Sequence, residues 1–303
     1  MKKKKLKTKK TWHKEWFIVI PLLLAALIFR IIYLGQAEIS DPTFWHPGSG
    51  TDMLTYDNQA QNILKGIHPT PYYYGPLYSY FLSIIYFVFG HNLYIARFIQ
   101  HILGVITCLL IYLIAKRSFG NPVGYISLFI SVVYDMFIIH EGLLLIEFLS
   151  TFLNSLLLFL LLRTEDSFSY KRLALAGIAI GLSALARSSI LLFLPFILIW
   201  MLFNCKTKTQ NSKLLRFCFL CLVVLLTISP ITLMNYLAVK KFILISTNGP
   251  VSLWVGNNEK ADGTFLFPPP SKRLTKRKEE IGDKAYIEDV IRFVKEKPAD
   301  FAR

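Results

Sequence analysis

Long, almost uninterrupted apolar runs constrain this chain more than any other feature of its sequence. Phe17–Leu34, Ile102–Ala115, Leu143–Leu162, Ile190–Phe203 and Phe217–Met234 are the clearest. Each approaches the roughly 20 apolar residues that cross a bilayer core. A helix buried in a soluble protein keeps a polar stripe, and most of these runs have none. Composition agrees: of 303 residues, 54% are hydrophobic and 17% charged, with mean hydropathy +0.47. Soluble domains carry about a quarter charged residues. The reading is an all-α polytopic membrane protein.

Charge then orients the chain. Eight lysines fall within the first fourteen residues and the remaining basic residues flank apolar runs. A net charge of +15 could indicate nucleic acid, but this segmental distribution is that of a topology signal beside anionic lipid, and no nucleic-acid partner is expected. A cleaved signal peptide is disfavoured, because the first run is long, carries Arg30 late and lacks a small-x-small site before Gly35. Residues 1–16 read as a cytoplasmic tail, and Phe17–Leu34 as a retained helix running outward. The four cysteines (Cys108, Cys205, Cys218, Cys221) lie in or beside apolar runs and read as small buried hydrophobes, not as a metal or redox site.

The first external loop, 35–92, contains a short helix at Asp52–Lys65 that stops at Gly66. Pro76–Phe89 is apolar, short and tyrosine-rich, and is read as lying in the interface rather than crossing it. With that choice, Leu93–Ala115, Gly124–Ile139, Leu143–Leu162, Leu173–Ala186, Ile190–Phe203 and Leu214–Leu237 follow as spans, about seven in all. Lys116–Arg117, Arg163, Lys171–Arg172 and the Lys206–Arg216 cluster then all face the cytoplasm, satisfying the positive-inside bias. The membrane domain is 17–237. The external segment 238–303 holds a polar stretch at Asn248–Gly263, a proline run at Pro268–Pro270 and a charged, helix-like tail at Lys278–Lys297.

Ionisable groups in or beside a membrane segment are costly and each needs a reason. The threading gathers Arg30, Asp52, Asp57, Arg97, Glu141, Glu147 and Arg187 at similar depth on the external side. Arginines grip phosphate through forked hydrogen bonds, and a carboxylate can take a proton from a nucleophile. Simpler roles exist for each residue. Asp52 fits a helix cap, Asp57 a solvated helix face, and Arg30, Arg97 and Arg187 lipid-phosphate contacts. His140 and Glu141 fall at an exposed loop tip. Tyr72–Tyr74 fit an interfacial belt, with sugar stacking as the alternative. Glu147 stands inside an apolar run without a basic neighbour in sequence, so a structural arginine partner is the alternative to a site role.

The order of several short elements resembles a known group. These are Asp52-Met-Leu-Thr-Tyr56 with Ala60 and Leu64-Lys-Gly66, Tyr74-Gly-Pro76-Leu77-Tyr78, Phe89-Gly90, Arg97, and Tyr112 with Ala115-Lys-Arg117. Further on come Glu147, Gly177-x-x-x-Gly181-Leu182-x-x-Leu185-x-Arg187, Pro195, and Trp254-Val-Gly256-Asn257-Asn258 with Ala261-x-Gly263. Together they resemble the lipid-carrier-dependent glycosyltransferases of the GT-C superfamily, near the bacterial relatives of protein O-mannosyltransferases and the lipid A aminoarabinose transferases. The resemblance implies Asp52 as general base, Arg97 and Arg187 as binders of a polyprenyl-phosphate sugar donor, and Glu147 as an acidic site residue. It also implies Tyr56, Tyr74 and Asp57 as substrate-contacting residues. Two departures stand out. Many members carry Asp-Glu where this chain has Asp52-Met53. The aminoarabinose transferases carry Glu-Lys where this chain has Tyr74-Gly75, so their metal site is not carried over, and whether a divalent metal assists is open. Relatives also continue beyond position 303, so a short or truncated chain is expected.

The resulting expectation is a plasma-membrane glycosyltransferase that moves a sugar from a polyprenyl-phosphate donor to an acceptor on the non-cytoplasmic face. A transporter would also place charges in the membrane, but the paired halves and broken helices of that class are not evident. An inactive, shortened enzyme is the other alternative.

Overall fold

The computed structural model describes residues 2–164, 169–204, 210–261 and 270–301. Among them the regular elements are all helices, without strands. The proline run at Pro268–Pro270, part of the Lys206–Arg216 cluster, Cys205 and the Ala261-x-Gly263 element lie wholly or partly outside the described residues.

The membrane part starts with α1 (Lys2–Ser40), α2 (Asp52–Leu64), α3 (Leu77–Phe89) and α4 (Leu93–Phe119). It continues through α5 (Asn121–Val133), α6 (Asp135–Gly142), α7 (Glu147–Thr164) and α8 (Tyr170–Ala186). A 3₁₀ turn (Ser188–Phe193), α9 (Leu194–Asn204) and α10 (Gln210–Val239) complete it. Among the described residues four helices are long and apolar enough to cross a membrane: Glu15–Ser40, Leu93–Phe119, Glu147–Thr164 and Asn211–Val239. The pair α5–α6, bent by 49° at Tyr134, makes a fifth if counted as one broken span. Length and composition thus support four or five spans and do not establish seven. The segments expected at Leu173–Ala186 and Ile190–Phe203 are helical but shorter. Helix α3, at 13 residues, falls short of a bilayer core. The expected span Gly124–Ile139 is the bent pair, and the expected span from Leu143 begins at Glu147 instead.

Three apolar cores organise these helices. One joins α1, α4 and α5 through Val19, Ala26, Cys108, Tyr112 and Leu128. A second joins α2, α3, α4 and α7 through Tyr56, Tyr78, Leu82, Ala96 and Leu149. A third joins α7, α8, α9 and α10 through Leu157, Leu173, Ile180, Ile197 and Val224. The Gly177-x-x-x-Gly181 element sits in this third core, its glycines against Val223 and Thr227 of α10. Small residues at that spacing let two helix backbones approach closely, as they do in membrane helix pairs. Around the cores, large apolar side chains such as Phe17, Phe87, Leu192 and Phe203 lie exposed. An apolar exterior of this extent is stable only against lipid or another apolar surface.

Beyond α10, helices α11 (Gly249–Gly256), α12 (Lys272–Ile281) and α13 (Lys284–Glu296) close on a small core of Trp254, Leu274, Ala285, Tyr286 and Val290. The charged tail is therefore two helices, separated at Gly282–Asp283. Trp254 Nε1 donates to Asp289 Oδ2 at 3.0 Å, fastening α11 to α13. Of the described cysteines only Cys108 is buried. Cys218 is exposed on α10 and Cys221 partly so, which corrects the expectation that all of them are interior.

Candidate functional site

A cleft of about 560 Å³ opens where the first long loop meets the ends of α7 and α8. Asp52, Tyr56, Tyr74, Glu147 and Arg187 line it, with Gly75, Ser188, Ser189, Ser246, Asn248 and Ser252. Five residues singled out in the sequence thus meet on one wall system, from positions up to 135 residues apart in the chain.

Asp52 owes its place to helix α2. Thr51 is the N-cap, its hydroxyl accepting from Leu54 N, so Asp52 is the first helical residue and not the cap. A carboxylate in a first turn is favoured by the free N–H groups there. The side chain remains exposed, and Tyr74 Oη donates to its Oδ1 at 3.1 Å. Tyr56, one turn along α2, is buried and packs edge-on to Tyr78 at 5.0 Å. Burial foremost, then the charges of Asp52 and Glu147, hold the Tyr56 phenol well above its ordinary range.

The loop carrying Tyr74 is fixed by the distant end of α10. Asn235, fully buried, accepts from Tyr72 N at 3.1 Å and donates to Ile245 O at 2.9 Å. Thr247 N and Asn248 N donate to Tyr72 O and Tyr73 O at 3.0 and 3.2 Å. These bonds bring Ser246–Ser252 onto the cleft, a wall the sequence did not disclose. The signal that was available is Asn235 itself, an amide at the end of an apolar helix, which must be satisfied by another segment. Tyr72 is buried in the third core and shares a 2.7 Å hydrogen bond with Tyr80. It is not part of an interfacial belt.

Glu147 opens α7 and forms an ion pair with Arg187, which caps the end of α8. The structural arginine that Glu147 lacked in sequence is therefore present. Glu147 Oε2 is buried with no hydrogen-bond partner. Arg187 is the basic side chain among the residues lining this cleft.

Arg97 and Asp57 are elsewhere. Arg97 is 1% exposed; its Nε donates to Gly142 O at 2.7 Å and its guanidinium covers the Phe44 ring at 4.1 Å. Asp57 is also buried, which overturns the solvated-face expectation. It accepts from Tyr86 Oη at 2.7 Å, His91 Nε2 at 2.9 Å and Gln61 Nε2 at 3.0 Å. Asp57 ties α2 to the end of α3, Arg97 ties α4 to Gly142 and Phe44, and neither lines the cleft.

A second surprise is Glu141. Far from an exposed loop tip, it lies on α6, 4% exposed. Arg30 of α1 donates to it through Nε and Nη2 at 2.6 and 2.8 Å. His101 of α4 approaches the same carboxylate at 3.0 Å, and since a carboxylate only accepts, the proton resides on Nδ1. Gly104 makes room, because a Cβ there would overlap the Glu141 carboxylate. Arg30 therefore serves α1–α6 packing and not lipid phosphate.

Among the described residues no group of three or more His, Cys, Asp or Glu could hold a metal ion. The cleft itself offers two carboxylates, Asp52 and Glu147.

The polytopic helical fold thus sets an acid–arginine cleft beside the first long loop of an apolar helical protein. The chain belongs to the dolichyl-phosphate-mannose-protein mannosyltransferase family, whose model matches residues 68–233. It is 29% identical over 215 residues to the undecaprenyl phosphate-alpha-4-amino-4-deoxy-L-arabinose arabinosyl transferase of Wigglesworthia glossinidia brevipalpis. That alignment covers 66% of this chain and 36% of the relative, so the chain spans about a third of that protein's length. No solved structure matches.

Proposed function

We propose that this chain is a membrane glycosyltransferase that moves a sugar from a polyprenyl-phosphate carrier to an acceptor hydroxyl on the non-cytoplasmic face. The observation that carries the reading is the presence of Asp52 and Arg187 on the wall of one cleft. The family and the similarity to an undecaprenyl-phosphate-dependent transferase support the donor class. In this reading Asp52 takes the acceptor O–H proton as the acceptor oxygen bonds the anomeric carbon. The bond from that carbon to the carrier phosphate breaks, with its electron pair leaving on the phosphate oxygen, and the anomeric configuration inverts. Arg187 meets the charge growing on the departing phosphate, an interaction stronger in the transition state than in the ground state. Glu147 holds the guanidinium in place, and Tyr56 and the serines of the wall contact the sugar or acceptor. Arg97, buried beneath the loop, and Asp57 maintain the cleft instead of touching substrate.

The topology belongs to the same proposal. Residues 1–16 form a basic cytoplasmic tail, 17–237 the membrane domain with its first external loop at 35–92, and 238–303 an external segment in the plasma membrane of the cell. The positive-inside bias supports this orientation.

Transfer tests the role of Asp52. Membranes carrying the full chain are given a labelled polyprenyl-phosphate sugar and the loss of lipid-linked label is followed. Asp52→Asn is expected to lower the rate at least about a hundredfold, within the range of a lost general base. Unchanged transfer in the variant, with equal protein in the membrane, removes Asp52 from the mechanism.

A further inference from the structure

We infer that Tyr74 is a positioning residue that holds the Asp52 carboxylate in its proton-accepting orientation. The inference rests on the reading of Asp52 as base. Among the described residues, the Tyr74 hydroxyl supplies the recorded hydrogen bond to that carboxylate, at 3.1 Å to Oδ1. Oδ2 is left for the acceptor.

Three features make the donor rigid. The loop backbone is hydrogen-bonded to Thr247 and Asn248 just before Tyr74. The phenol ring is confined by Tyr73 at 4.8 Å and Tyr56 at 5.8 Å. Immediately after it, Gly75 lies so close to the chain end of α8 that a Cβ would overlap the carbonyl oxygens of Leu185 and Ala186. A group held from three sides delivers its hydroxyl to one point, which is what orientation of a reacting group requires.

Tyr74 and Gly75 act together here. Glycine at 75 permits the close approach, and tyrosine at 74 supplies a neutral donor. A phenol suits the task because it donates without adding charge, so the base keeps its own. Burial, then the Asp52 charge and hydrogen bond, push the Tyr74 phenol up to about 12, and it stays protonated across the working range. The other titratable groups facing Asp52 are Tyr56 on its own helix, Tyr73 on the loop, and Glu147 and Arg187 across the cleft.

The test is the kcat–KM split of transfer from labelled polyprenyl-phosphate sugar in membranes carrying the full chain. In Tyr74→Phe, kcat is expected to fall about tenfold, the cost of a base no longer held in its reacting orientation. The donor KM is expected to stay within twofold. Placing 4-aminophenylalanine at position 74, which keeps the ring and a neutral donor, is expected to leave kcat within about threefold of the wild type. That variant keeps the test alive if the phenylalanine form does not fold. In an Asp52→Asn background, Tyr74→Phe is expected to have no further effect. An unchanged kcat in Tyr74→Phe, a tenfold fall in the 4-aminophenylalanine form, or a raised donor KM with kcat unchanged overturns the positioning role. Wild-type transfer by Asp52→Asn alone overturns the base assignment itself, a distinct failure.

Discussion

Two arginine–glutamate pairs built from the same chemistry do opposite things in this molecule. Arg30 and Glu141 are 0% and 5% exposed, doubly hydrogen-bonded, and sealed between α1, α4 and α6. Arg187 and Glu147 are 55% and 35% exposed, face a cleft, and leave one carboxylate oxygen without a partner. The first pair has its hydrogen-bonding capacity spent inside the fold. The second keeps its guanidinium more than half exposed at the cleft, open to something that arrives. In a membrane protein, the charge that is satisfied belongs to the architecture, and the charge that is left accessible is the candidate for chemistry.

The largest effect is expected from unsealing the first pair. Glu141→Ala leaves a buried guanidinium without its carboxylate, which costs about 3–5 kcal/mol. Thermal unfolding of the detergent-purified protein should show a large drop in Tm. An unchanged Tm would mean that the pair does not hold α1 to α6.

Two glycines sharpen the contrast next. Gly104→Ala drives a methyl group into Glu141 and should destabilise by about 1–3 kcal/mol, read in the same melt. Gly75→Ala drives one into the carbonyls of Leu185 and Ala186, and there the cost should fall on transfer, since Tyr74 and Arg187 are carried by the displaced segments. If Gly75→Ala alters Tm but not transfer, the loop is structural only.

The smallest effect is a titration. The Tyr74 phenol, ordinarily near 10, is raised to about 12 by burial and by Asp52. A raised acid is the more protonated group in the folded state, so its contribution to stability is whole below pH ~10 and is lost as pH rises through about 12. Subtracting the phenolate absorbance titration of Tyr74→Phe from that of the wild type should isolate a transition near the upper value. A difference curve centred near 10 would contradict the Asp52 contact.

How much of this was legible beforehand divides along the same line. The apolar runs announced the membrane helices, and of the seven charged residues that the threading gathered, Asp52, Glu147 and Arg187 line one cleft while Arg30, Asp57, Arg97 and Glu141 do not. Runs of side chains without a polar stripe are a local signal, and so is an acid or arginine at the end of one. What the sequence withheld was partnership. Glu141 looked like a loop residue because its partner Arg30 is 111 positions away. Asp57 looked solvated because Tyr86 and His91 fold over it from α3 and the turn beyond. The break at Tyr134 falls just before Asp135, an acid within the run Gly124–Ile139 that was read as one straight span, and α6 beyond it packs against α1 and α4. The wall formed by Ser246–Ser252 depends on Asn235, whose bonds join segments more than 160 residues apart.

The direct test of the division between the two pairs is Arg187→Ala, measured for transfer and for Tm in the same preparation. Transfer from a labelled polyprenyl-phosphate sugar is expected to fall about 10²–10³-fold, the cost of losing a transition-state charge partner. The Tm is expected to shift by no more than an exposed ion pair warrants, under about 1 kcal/mol. A large loss of Tm with transfer per folded molecule unchanged would contradict the account and make this pair, like Arg30–Glu141, a strut.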